Sequence, residues 1–298
     1  MKFIALVGVW LALVQATGAC PMCASGGPAD YVKFEDSEDV VMTPGKLRRW
    51  SVTLDTRTVE SSEGDEVEES HGQTQLGFSA GYRPNAKLLL LARVPYVRAT
   101  LREDNEEHVN SGIGDAEIMA AFEFKRGAAN WWPALTAVVK LPTGDNDVQA
   151  DDSDAEFTRL EEHGQIGTGA ADAMLMGHLR HAGVYRVAAT LGYRFNGQND
   201  FEYQYGSVAW LDVDANRSVY GSLWAGGVLR VRNSDRHLDN GENVEDSGGT
   251  ILLLMPEAGV SIGSNLNLFV QGIVPVINHL NGTQEEKVGF SVALTQSF

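Results

Sequence analysis

The sequence has no apolar run long enough to form a transmembrane helix after its first residues. A helical span needs about 20 predominantly apolar residues, and no stretch beyond Val14 approaches that length. Lipid offers a backbone no hydrogen-bond partners, so only helices and closed β-barrels cross a bilayer. If this chain crosses a membrane, it must therefore do so as a barrel.

Basic residues are also scarce. The 298 residues include 23 Lys and Arg against 40 Asp and Glu, which gives a formal net charge of −17. A nucleic-acid-binding surface needs clustered basic residues, so the composition argues against nucleic acid as a partner. Glycine is abundant at 32 and proline modest at 9, and a single β domain of this length is common.

Cysteine occurs only twice, as Cys20 and Cys23. In an exported chain such a pair most often forms a local disulfide. Three alternatives stay open: lipidation of Cys20, a redox dithiol, and a metal site, for which zinc would need two further ligands. A c-type haem would need a histidine where Ala24 stands.

The N-terminus carries the signs of export. Lys2 precedes an apolar run from Phe3 to Val14, and small residues follow up to Ala19. This is the pattern of a secretory signal peptide, which we assign to residues 1–19; a buried N-terminal helix is the alternative. Residues 20–47 lack periodicity and are predicted to form a periplasmic segment that folds back towards the barrel mouth.

Twelve segments of the remaining chain alternate apolar and polar residues with a period of two, which is typical of β-strands with one apolar face. In the last of them, Val288, Phe290 and Val292 share one phase. In the eighth, Trp210 shares its phase with Asp212. The predicted strands cover residues 49–59, 74–83, 87–100, 113–124, 132–141, 170–180, 184–196, 202–212, 218–232, 250–261, 266–277 and 287–298.

The connections between these strands differ in length. Those after even-numbered strands are short, with the eighth strand followed by a turn at 213–217. Those after odd-numbered strands are long, with 197–201 as a short exception: they cover 60–73, 101–112, 142–169, 233–249 and 278–286. A soluble sandwich has no reason to alternate loop lengths, whereas an outer-membrane barrel does. The sequence therefore predicts an all-β fold, a single transmembrane antiparallel β-barrel of about 12 strands over residues 48–298, with periplasmic termini and long, acidic extracellular loops.

Charged residues within the strands fall mainly on the polar phase. A charge facing lipid at mid-bilayer costs about 2–4 kcal/mol, so these side chains are expected to point into the lumen, where opposite charges can pair. The predicted pore-lining residues are Asp55, Arg57, Arg83, Arg93, Asp115, Glu117, Lys140, Asp172, His178, Arg180, Arg186, Arg194, Arg230, Arg232 and Glu257.

Three segments resemble landmarks of a known family. They are SGIGDAEIMAAFEF (111–124), KLPTGD (140–145) and GTGAADAMLMGHL (167–179), and they are similar to segments of the transporter-like outer-membrane barrels described as MetA-pathway phenol-degradation proteins. The final strand, which ends at Phe298, resembles the closing strand that the barrel-assembly machinery of Gram-negative bacteria recognises. The resemblance implies an outer-membrane location, contact with lipid and lipopolysaccharide, and a link to aromatic solutes. It brings no catalytic residues and no cofactor.

Two functions are consistent with these features. The first is an outer-membrane channel or transporter-like barrel that passes small solutes, aromatic or apolar ones among them, through a narrow lumen with balanced charges; a salt-bridged plug is equally compatible with those charges. The second is a non-transporting anchor whose acidic surface loops bind divalent cations or a partner protein. Metal candidates in the third long loop are Asp145, Asp147, Asp151, Asp152 and Asp154, which lack the glycine and terminal glutamate of an EF-hand loop.

An enzyme is not expected. A hydrolase would need a serine and a histidine side by side on the lipid-facing phase. His178 lies on the lumen phase, and the other six histidines lie in predicted loops or turns.

Overall fold

Period-two alternation builds twelve antiparallel barrel strands. The computed structural model describes residues 49–63, 69–103, 106–124, 130–149, 159–181 and 183–298. The strands are β1 (Trp50–Glu63), β2 (Glu69–Asn85), β3 (Leu88–Glu103), β4 in two parts (Glu106–Ile113 and Ala116–Glu123), β5 (Trp131–Leu141), β6 (Asp172–His181), β7 (Arg186–Phe195), β8 (Val208–Tyr220), β9 (Leu223–Ser234), β10 (Gly249–Ile262), β11 (Leu266–Leu280) and β12 (Gly289–Ser297).

The first and last strands close the sheet. Thr53 of β1 lies opposite Ser79 of β2 on one side and Thr295 of β12 on the other. The Thr53 and Thr295 hydroxyl groups are 2.9 Å apart, so side chains also join the two strands. Each strand pairs with its sequence neighbours, and the predicted all-β, 12-stranded closed barrel is confirmed.

The outer face of the barrel is apolar. Leu54, Leu76, Phe78 and Leu90 alternate with inward-facing neighbours and are exposed. Exposed aromatic residues lie at the end with the short turns, as in the aromatic girdles of outer-membrane barrels: Trp50, Phe124, Trp131, Tyr185, Tyr220 and Phe298. Since such a face is stable only against hydrocarbon, the barrel wall spans a membrane.

The eighth strand and the connections on either side of it differ from the prediction. The predicted eighth strand, 202–212, and the turn at 213–217 were wrong, because β8 covers 208–220 and turns at Gly221 and Ser222. Glu202 lies in an exposed loop, and Trp210 is interior on the same phase as Asp212. The loop at the other end therefore covers 196–207, which removes the predicted short exception.

The predicted loops at 60–73 and 101–112 were also too long. β1 continues to Glu63, and β2 begins at Glu69. β3 and the first part of β4 continue past the membrane-spanning wall as a hairpin, and Thr100 pairs with Val109. Glu285 and Glu286 likewise extend the sheet beside β1. The sheet is therefore extended on this side of the barrel.

The interior of the barrel is packed with side chains. One buried cluster contains Leu89, Leu91, Met119, Val138 and Trp210, among others. A second one joins Val59 to buried residues of β9, β10 and β11, including Ile251 and Met255. A 12-stranded barrel encloses little space beyond its own side chains, so any passage through this one is narrow.

Three predictions lie outside the described residues. They are the signal peptide at 1–19, the segment at 20–47 with Cys20 and Cys23, and the loop aspartates Asp151, Asp152 and Asp154. Among the described residues, helical structure comprises a short 3-10 turn at Glu162–Gly164 and a single 3-10 residue at Asn130, and no helix there is long and apolar enough to cross a membrane.

Candidate lumen site

A cavity of about 90 Å³ lies within the barrel towards the end with the long loops. A buried water needs about 10–15 Å³ of such space, so the cavity is large enough for several water molecules. Its wall carries Arg57, Gln73, Gln75, Arg93 and Glu117 from β1 to β4. Its remaining lining includes residues 165–168 of the loop between β5 and β6.

An ion-pair network crosses the wall of the cavity from β1 to β4. Arg93 donates through Nε and Nη2 to the two carboxylate oxygens of Asp55, at 3.3 and 2.9 Å, and through Nη1 to Glu117 at 3.3 Å. The side chains of Arg93 and Asp55 are 4% and 1% exposed. Charge-assisted, two-point contacts of this kind fix both partners in one orientation.

Gly77 makes room for this network. It lies on β2 between Asp55 of β1 and Pro95 of β3. A Cβ atom at position 77 would lie 2.5 Å from both carboxylate oxygens of Asp55 and 2.6 Å from Nη2 of Arg93. The missing side chain therefore lets the ion pair lie flat against the wall.

A second charged cluster surrounds Lys140. Its ammonium nitrogen lies 3.2 Å from Asp115 and 2.6 Å from Asp172, and it also contacts the hydroxyl of Thr168. Lys140 pairs across the sheet with Asp172 on β6 and with Glu117 on β4. The ammonium lies between two buried carboxylates, which compensates part of the cost of removing these charges from water.

Further polar pairs line the rest of the lumen. Arg230 of β9 donates twice to Asp212 of β8, both at 2.7 Å. Arg180 lies 3.4 Å from Glu123, and His178 contacts the hydroxyls of Thr136 and Thr190, each at 3.0 Å. Arg232 pairs with Glu286, and Gln271 donates to Glu257 at 3.4 Å.

The fifteen residues predicted to line a pore are all buried or half-buried. Fourteen lie on the interior phase of their strands, and Asp115 lies in the break between the two parts of β4. Their part in solute passage stays a prediction. The structure joins Asp55, Arg93 and Glu117 in one group and Lys140, Asp115 and Asp172 in another.

The uncharged polar residues of the site were not predicted as site residues from the sequence. Gln73, Gln75, Gln165 and Thr168 line the cavity. Gln75 donates to Gln73 at 2.8 Å. Gln73 and Gln75 share the phase of Arg83, so the alternation that selected the charges could have selected them too. Nothing in the spacing could have placed Gln165 and Thr168, which lie in a loop.

The described residues contain no group of three or more His, Cys, Asp or Glu arranged to hold a metal ion. Of the predicted metal candidates, Asp145 accepts the backbone N–H of Asp147 at 3.0 Å and so forms a local turn. The carboxylate of Asp145 is therefore engaged in the structure of the loop itself.

Comparison with solved structures identifies the fold. The chain is similar to the COG4313 outer membrane channel of Pseudomonas putida F1, with 14% identity, 84% of this chain and 94% of that chain covered, and a TM-score of 0.64. This chain is an outer-membrane β-barrel. The barrel is also similar to the translocator domain of the autotransporter NalP of Neisseria meningitidis (10% identity, 86% and 90% covered, TM-score 0.51) and to the β domain of the Bordetella autotransporter BrkA (10%, 84% and 100%, TM-score 0.53).

No family model and no curated protein sequence matches the chain. The structural likeness therefore confirms the fold and the outer-membrane location that the sequence predicted. It carries neither a solute nor a mechanism, because channels and protein translocators share it.

Proposed function

We propose that this barrel is an outer-membrane channel for small solutes and that the structure represents its closed state. The observation that carries the proposal is a cavity large enough for several water molecules inside a barrel whose outer face is apolar. Its wall offers guanidinium, carboxylate and amide groups to a passing molecule. A purely structural barrel has no need of such a space.

The balance of charges supports a narrow and selective passage. Arg93 and Lys140 each lie between two carboxylates, and Arg57 and Arg194 also line the cavity, so four basic groups face four acidic ones and the lumen at this level is close to neutral. A neutral lumen with fixed dipoles favours small, weakly charged molecules over bulk ions, since ions would have to compete with these pairs. We include small aromatic and apolar molecules in this class, in line with the sequence resemblance.

Liposome swelling tests the proposal directly. The purified barrel is reconstituted into liposomes and challenged with a panel of sugars, amino acids and small aromatics of increasing size. We expect faster swelling with the smallest members than in protein-free liposomes. Swelling rates equal to those of protein-free liposomes for every solute would contradict the channel.

A second function is an anchor that does not transport. Dense interior packing and the many internal ion pairs favour it, as do the acidic long loops, which suit divalent cations, lipopolysaccharide or a partner protein. Equilibrium dialysis with calcium separates the two. Calcium binding without any solute permeation would favour the anchor.

A further inference from the structure

The three sequence motifs that carry the family resemblance meet at one point in the structure. They are Gly112-Ile-Gly114-Asp115 within β4, Leu141-Pro-Thr-Gly144 after β5, and Gly167-Thr168-Gly169 before β6. A Cβ atom on Gly144 would lie 2.8 Å from the Cα of Gly167 and 3.0 Å from the Cα of Gly114. Only residues without side chains allow these three backbones to touch.

Asp115 joins the three backbones. It occupies the break between the two parts of β4, next to Gly114, whose N–H still donates to the carbonyl of Pro95 on β3 at 2.9 Å. Its Oδ1 accepts the N–H of Gly144 at 2.9 Å, and its Oδ2 accepts both the N–H and the hydroxyl of Thr168, each at 2.9 Å. Lys140 balances the charge at 3.2 Å. One buried carboxylate therefore holds both arms of the loop between β5 and β6.

Residues 159–170, which we call the inner segment, lie over the cavity as a result. Leu160, Ile166 and Ala170 of this segment are buried. Gln165, which is 1% exposed, ties the segment together: its side chain donates to the carbonyl of Leu160 at 2.7 Å and accepts the N–H of Val148 at 2.9 Å. The segment is therefore ordered by its own hydrogen bonds and by those to the first arm of the loop.

The inner segment has further attachments, both charge-assisted and neutral. Asn199 donates to both carboxylate oxygens of Glu162 at 3.4 Å, and Lys140 contacts the hydroxyl of Thr168. Asn110 donates to the carbonyl of Gly164 at 3.1 Å, and Tyr205 donates to the carbonyl of Glu162 at 3.1 Å. Asn199 donates to the carbonyl of Thr168 at 3.2 Å. Hydrogen bonds to a charged group contribute more than neutral ones. Thr168 makes two such bonds to the buried Asp115 at 2.9 Å, shorter than the bonds of Asn110, Tyr205 and Asn199, so Asp115 is a main attachment of the segment to the wall.

We propose that the inner segment is the gate of the channel and that Asp115 holds it closed. This inference rests on the proposed channel function. When the bonds to Asp115 open, Gln165, Ile166 and Thr168 leave the cavity lining, and the cavity opens towards the outside. The three motifs then act together. The first contains the break in β4 with Asp115, and the other two are the ends of the loop between β5 and β6 that bind to Asp115.

The test combines a protease with an electrical recording. Arg159 is the only Lys or Arg between Lys140 and Arg180, so trypsin cleavage of this loop gives one cut, identified by mass spectrometry. The Asp115→Asn variant keeps the shape of the side chain. Its NH₂ group would replace one of the two carboxylate oxygens and would face an N–H or O–H donor, so at least one of the hydrogen bonds to Asp115 is lost. Asp147→Asn, an exposed aspartate of the same loop, is the matched control.

We expect Asp115→Asn to be cut at Arg159 about tenfold faster or more, which is the population change that loss of one charge-assisted hydrogen bond produces. In planar bilayers its open probability should rise in parallel, while Asp147→Asn behaves as wild type in both assays. Unchanged cleavage of folded Asp115→Asn would overturn the proposal, and so would faster cleavage with unchanged current in a conducting wild type.

The two proposals fail differently. If Asp115→Asn is cut faster but no protein conducts, the channel function is refuted, and the gate with it. If wild type conducts and Asp115→Asn matches it in both assays, the channel stands and only the gate is wrong. Should Asp115→Asn not assemble, Thr168→Val serves, since it removes the contacts of the hydroxyl with Asp115 and Lys140 and keeps the Asp115–Lys140 pair. Wild-type cleavage and current in that variant would equally overturn the gate.

Discussion

Replacing Gly77 by alanine should destabilise the barrel by an amount that the structure allows us to estimate. The new Cβ would lie 2.5 Å from both oxygens of Asp55, about 1 Å closer than an ordinary contact, and 2.6 Å from Arg93 Nη2. Asp55 cannot turn aside, because Arg93 holds both its oxygens and the site is buried.

Breaking a buried ion pair costs about 3–5 kcal/mol. Alanine recovers about 0.5–1 kcal/mol through the lower entropy of the unfolded chain. The expected net loss for Gly77→Ala is therefore about 2–4 kcal/mol in the free energy of unfolding. Urea titration of the barrel in lipid vesicles, followed by the shift between folded and unfolded bands on unheated gels, measures it.

Gly177→Ala is the matched control. Gly177 lies on the lipid-facing phase of β6, and a Cβ there would meet nothing within 4 Å. We expect this variant to equal wild type or to gain up to about 1 kcal/mol. In an Asp55→Ala background most of the Gly77→Ala penalty should disappear. Equal stability of the Gly77→Ala and Gly177→Ala variants would refute the role we give to the ion pair.

Two further predictions concern the interior. Lys140→Met removes the ammonium between Asp115 and Asp172, and we expect it to lower the free energy of unfolding by about 3–5 kcal/mol in the same titration. Lys87→Met, at an exposed turn, should leave the stability unchanged. Equal effects of the two variants would count against the buried cluster. Gly192→Ala would place a Cβ atom against the ring of Trp210, so the buried indole should move towards water. We expect a red shift of the tryptophan fluorescence in this variant and none in Gly177→Ala. An unshifted spectrum of Gly192→Ala would contradict this packing.

The barrel itself could be predicted from the sequence because one rule governs each strand. Arg93 and Asp55 identify the inner phase of their strands, since a charge is far more costly in lipid than in the lumen. The same rule was weakest at β8, where Asp212, Asp214 and Asn216 share the inner phase with Trp210. Because Trp210 shares its phase with these polar residues, the alternation of apolar and polar residues did not define the bounds of the strand there.

The candidate site could be predicted only in part. Leu89 and Leu91 line the interior beside Arg93, yet β3 is apolar on both phases, so the sequence does not show that the lumen is packed. The meeting of Asp115 with Thr168 joins residues 53 positions apart. Such a contact depends on how a loop folds back over the barrel, and no local period records it.

The central claim is that solutes pass inside this barrel along the cavity wall, and neighbouring residues of β2 test it most directly. Gln75 lines the cavity, and Leu76 faces lipid. Single-cysteine variants at these positions, in a Cys20→Ser/Cys23→Ser background, are exposed to a charged, water-soluble thiosulfonate during bilayer recording. Our account predicts that the reagent lowers the current through Gln75→Cys and leaves Leu76→Cys unchanged. The same response in both variants, or in neither, would contradict it.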